Sequence, residues 1–69
     1  MVAQDFIVGE LAHGPLTTRD LADRLAAGDV RYAVGYSLLQ DVYSACRRAE
    51  RAGRIRCIGF RGRAAVWEA

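Results

Sequence analysis

The chain has 69 residues, enough for one domain near the lower size limit for a core that folds without staples. With 52% hydrophobic residues, one proline and a formal net charge of +2, it reads as a folded domain, and no apolar run is long enough to cross a bilayer. The N-terminus lacks a basic stretch leading into an apolar run, so the expectation is one cytoplasmic domain over 1–69 with no membrane association.

In chain order, AQDFIVGELA (3–12) predicts a first helix, with Ile7 and Leu11 on one face and Phe6 and Val8 beside them. Gly14 and Pro15 stop it: glycine suits the left-handed residue past a helix end, and proline cannot continue the helix. Pro15-Leu16 then reads as a short extended piece. The next segment, LTTRDLADRLAA, carries the sharpest local signal. Thr17 fits the N-cap, Asp20 three residues on completes a capping box, and Leu16 with Leu21 form a hydrophobic staple. A second helix is predicted from Thr18 to Ala27, ended by Gly28. Val30, Tyr32 and Val34 alternate, and this stretch is compatible with a strand, a loop or an early turn of the next helix.

From Ser37 to Ala52 the pattern is helical again, with two distinct faces. Gln40, Ser44, Arg47 and Arg51 cluster on one side, with Ser37 and Arg48 at its edge. Leu38, Val42, Ala45, Cys46 and Ala49 lie opposite, Leu39 and Tyr43 take one flank, and Gly53 ends the helix. RIRCIGF and AAVWE then read as two strands of a hairpin whose turn centres on Arg61-Gly62 in a type I′ connection. Ile55 and Cys57 share a face. Val66 and Trp67 point to opposite faces, and the alternation does not decide which of the two packs on the helices. Cys46 and Cys57 are expected to be two buried free thiols acting as small hydrophobes.

Charge is distributed unevenly. Residues 1–41 hold Arg19, Arg24 and Arg31 against six carboxylates, net −3, whereas residues 42–69 hold seven arginines against Glu50 and Glu68, net +5. The basic half is the side that would face an anionic partner. All ten basic residues are arginine, a bias that a GC-rich coding sequence also produces, so the choice over lysine carries little weight. The cluster Arg47, Arg48 and Arg51 has a plainer explanation as a solvated helix end. Cations favour the macrodipole there, but like charges three and four residues apart repel, and the two effects nearly cancel. Folding alone neither requires nor forbids it.

The order helix, extended piece, helix, helix, hairpin brings a resemblance into view. GPLTTRDLADRL (14–25) resembles the start of the second helix of winged helix-turn-helix proteins. VYSACRRAERAGRI (42–55) resembles their recognition helix and its glycine exit, and RCIGFRGRAAVWEA resembles their wing. The chain departs from the usual pattern in a longer stretch between Leu25 and Val42. The resemblance implies an α+β fold of three helices with a C-terminal two-stranded β-hairpin wing, and a protein that binds double-stranded DNA; one module this small covers little DNA, so a homodimer is expected. It implies that Ser37, Gln40, Tyr43 and Ser44 meet base edges in the major groove. Arg47, Arg48 and Arg51 would meet phosphates or guanines, and Arg61 and Arg63 would meet phosphate or minor groove. Thr17 and Thr18 would hold a phosphate at a helix start.

No nucleophile motif, phosphate loop or metal-ligand spacing is visible, and His13 has no partner for catalysis, so neither an enzyme nor a cofactor is expected. The size suits a regulator or accessory factor of phage type. The rival expectation is an interaction module of the same shape that docks on a host protein without reading DNA.

Overall fold

The protein is described here by a computed structural model that covers residues 2–28 and 35–69. The predicted extended alternation of Val30, Tyr32 and Val34 lies outside the described residues. The elements are α1 (Gln4–Leu11), β1 (Leu16–Thr17), α2 (Thr18–Gly28), α3 (Tyr36–Arg51), β2 (Arg56–Arg61) and β3 (Ala64–Glu68). The fold is therefore α+β, three helices on a small antiparallel sheet of order β1-β3-β2.

The helix ends follow from local chemistry. Thr17 Oγ1 accepts from the Asp20 amide at 3.0 Å, and the Asp20 carboxylate accepts from the Thr17 amide at 3.1 Å, completing the reciprocal cap. Leu21 is fully buried and Leu16 packs beside it. Thr17 also pairs with Val66, so the strand hands over to the helix with no intervening loop. At the other end of α3, the Gly53 amide donates to Glu50 O at 3.0 Å and the Arg54 amide to Ala49 O at 2.9 Å, the two bonds of a Schellman motif. Thr17→Ala removes one side of the box and should cost about 1–2 kcal/mol. In a domain this small, each kcal/mol lowers Tm by roughly 4–8 °C, which a thermal melt followed by circular dichroism would read.

The sheet corrects the expected two-stranded hairpin in three respects. Leu16 and Thr17 form a third strand, pairing with Trp67 and Val66 of β3. The turn lies one residue later than expected, at Gly62-Arg63, because Arg61 still pairs with Ala64. Gly62 sits at φ 63 and Arg63 does not have a positive φ, so glycine takes the first turn position, as a type II′ connection requires, rather than the second position of the I′ expectation. Ile58 is an extra residue: Cys57 pairs with Trp67 and Gly59 with the adjacent Val66, so the ladder bulges between them.

Trp67, not Val66, faces the helices. It is fully buried, and its indole N–H donates to Thr18 Oγ1 at 2.9 Å. Around it lie Val2, Ile7, Leu11, Leu21, Leu38, Val42, Ala45, Ala49 and Ile55. Cys46 is fully buried, and this burial, together with the charge of Glu50, pushes its thiol from 9.0 up to about 12. It is a packing residue at neutral pH. Cys57 is only half-buried, its thiol directed at the Gly59 carbonyl 3.4 Å away, which departs from the expectation of two buried thiols.

Candidate nucleic-acid interface

The amphipathic division of α3 is as expected. Leu38, Val42, Ala45, Cys46 and Ala49 are buried, while Ser37, Gln40, Ser44, Arg47 and Arg51 are exposed. Tyr43, Ser44, Arg47, Arg48 and Arg51 line one shallow recess of about 470 Å³ on the C-terminal half of the helix. Five of the predicted contact residues thus share a continuous surface. Ser37 lies outside it, exposed in the first turn.

The guanidinium groups differ in how far the protein already uses them. Arg47 is 3.2 Å from the Glu50 carboxylate and donates to the Tyr43 hydroxyl at 3.3 Å. That hydroxyl first, then the charges of Tyr43 and Glu50, hold its pKa above the ordinary arginine value, so it is a fixed cation. Arg54 binds Asp5 at 2.6 Å, and Arg56 pairs with Glu68 across the hairpin. Arg51, Arg61 and Arg63 have no carboxylate partner among the described residues. Exposed ion pairs such as Arg47–Glu50 contribute at most about 1 kcal/mol, so an incoming phosphate competes with them at little cost.

Two predicted contacts, Thr17 and Thr18, need correction, and a third, Arg48, is partly used by the fold. Thr17 and Thr18 are both buried, their hydroxyl oxygens accepting from the Asp20 amide and the Trp67 indole inside the fold. The Asp20 carboxylate also occupies the helix start where an anion was expected, so neither threonine side chain is available to a phosphate. Arg48 is half-buried and donates to the Val2 carbonyl at 3.2 Å, so part of its guanidinium ties the N-terminal segment to α3. That long-range contact has no sequence signature.

Comparison with known protein families, with curated proteins and with solved structures finds no match for this chain. Its surface chemistry therefore has to be read from its own residues.

A second and larger depression, of about 740 Å³, lies between the N-terminal half of α3 and the hairpin. Its α3 wall is Tyr36, Leu39, Gln40 and Tyr43, and its hairpin wall includes Phe60 and Arg63. Arg19, at the start of α2, closes one end and is 3.1 Å from Asp23. Gln40 donates to the Tyr36 hydroxyl at 2.8 Å, which fixes its amide at the groove edge. Tyr43 belongs to both depressions, and its ring lies 6.1 Å from that of Trp67, so the core positions it. Arg63 thus joins Gln40 and Tyr43, whereas Arg61, on the last position of β2, lines neither depression.

Sequence reasoning missed Phe60 and Arg19 as site residues and gave Tyr36 no role. Tyr36 precedes Gln40 by one helical turn, a spacing that signals the contact. Phe60 was hidden by the bulge, which no local pattern reveals.

Proposed function

We propose that this chain is a small winged helix-turn-helix protein that binds double-stranded DNA, placing α3 in the major groove and the β2–β3 hairpin against the backbone as a wing. The element order and the pairing of β1 with the last strand support the fold reading. One observation carries the functional reading: the outward face of α3 gathers Tyr43, Ser44, Arg47, Arg48 and Arg51 into one recess, and Arg51, Arg61 and Arg63 are not neutralised by carboxylates of the described residues. Gln40 and Ser44 are the base-reading candidates, and the arginines supply phosphate contacts. One module covers little DNA, so useful specificity calls for two copies, and we propose a homodimer on DNA. It acts as a binding protein, a regulator or accessory factor, rather than as an enzyme. Among the described residues no helix is long and apolar enough to cross a membrane, which is compatible with a cytoplasmic site of action.

A gel-shift on random duplex over a salt series tests this. With roughly four phosphate contacts, log K should fall against log salt with a slope of about −4. A flat response, or no shift at low salt, would remove the DNA reading. The exposure of Phe60 and Tyr36 favours a second reading, a docking surface for another protein.

A further inference from the structure

The groove between α3 and the hairpin is built differently from the arginine recess. Its two lips are Phe60, 73% exposed, and Tyr36, 78% exposed, the two most exposed large hydrophobic side chains among the described residues. Between them lie Leu39 and Tyr43, and the polar groups are the Gln40 amide and the Arg63 guanidinium. A phosphate backbone gains nothing from an aromatic wall, and a paired base in the major groove presents its edge, not its face. Aromatic walls with cations nearby are what an unstacked base needs: a π surface to lie on and charge to hold the flanking phosphates.

We propose that this groove is a stacking site for an unpaired nucleobase in a strand continuous with the bound duplex. The inference rests on the DNA-binding reading and names the form of DNA preferred. The base inserts between Tyr36 and Phe60. Gln40, held by the Tyr36 hydroxyl, keeps its carbonyl oxygen and its second amide hydrogen for the base edge. Arg63, in the turn, meets the adjacent phosphate. Among the described residues no carboxylate lines the groove, which suits a polyanion.

The test compares a blunt duplex with the same duplex carrying a short single-stranded extension, by fluorescence anisotropy at one salt concentration. A second probe carries 2-aminopurine, whose emission drops on stacking, in the extension. The wild-type protein should bind the extended duplex about tenfold tighter and quench the probe. Phe60→Ala and Tyr36→Ala should each abolish the preference and the quenching; Phe60→Ala should leave blunt-duplex affinity unchanged, and circular dichroism checks that both variants are folded. Equal binding of the two duplexes by wild type overturns this inference and leaves duplex binding standing. Loss of binding to both probes overturns the two together. A preference that survives in both variants places the base elsewhere and overturns the assignment. So does a self-association, or a proline-rich peptide contact, that the substitutions abolish while the DNA preference remains.

Discussion

Replacing Trp67 by alanine should leave most of the chain unfolded at ambient temperature. The indole is fully buried where β3, β1 and the start of α2 meet, and truncating such a side chain costs about 3–5 kcal/mol. A 69-residue domain holds only about 3–10 kcal/mol in total, so the loss takes most of it. Two milder variants separate packing from polarity. Trp67→Phe keeps much of the apolar surface and strands the buried Thr18 hydroxyl, at roughly 1–3 kcal/mol. Adding Thr18→Val to it removes the stranded group as well, and should recover part of the loss. Urea melts of the wild type, Trp67→Phe, Thr18→Val and the double variant close the cycle. If Trp67→Phe and the double variant are equally stable, the indole–hydroxyl bond contributes nothing and the threonine is held by packing alone.

The triple variant Arg51→Ala, Arg61→Ala, Arg63→Ala should flatten the salt dependence of duplex binding by about three slope units, roughly one per phosphate contact removed. Its stability should change little, because these side chains are exposed and have no carboxylate partner among the described residues. The control matters as much as the variant. Arg24→Ala, Arg54→Ala, Arg56→Ala changes net charge equally, but those three side chains pair with Glu10, Asp5 and Glu68. It should leave the slope nearly intact. Equal slopes for the two triples would mean that binding follows net charge alone and that no oriented surface exists.

How much was legible depended on the range of the interaction. The cap of α2 was readable because Thr17 and Asp20 lie three residues apart and satisfy each other. The buried and exposed faces of α3 were readable because a helix repeats regularly. The partner of β1 was not: two residues carry no alternation, and Leu16 finds Trp67 across most of the chain. The inward choice between Val66 and Trp67 was open for the same reason, being decided by Thr18 in another element. In the candidate site, the arginine stripe was legible as a helical face. The tie of Arg48 to Val2, the burial of both threonines and the inward side of Phe60 were not, because each depends on a contact or a bulge that local spacing does not encode.

The bulge at Ile58 has a consequence for which side chains this surface presents. Counting alternate positions onward from Cys57 would send Phe60 outward and Arg61 toward α3; the inserted residue reverses that parity, so Phe60 sits opposite the inward Ala65. Gly59 holds this reversal at φ 147, a backbone conformation that residues with a Cβ rarely adopt. A residue with a Cβ at this position, which lines neither depression, strains the backbone on which that parity rests. The face on which Phe60 lies is thus set by the backbone of a position whose own atoms line neither depression.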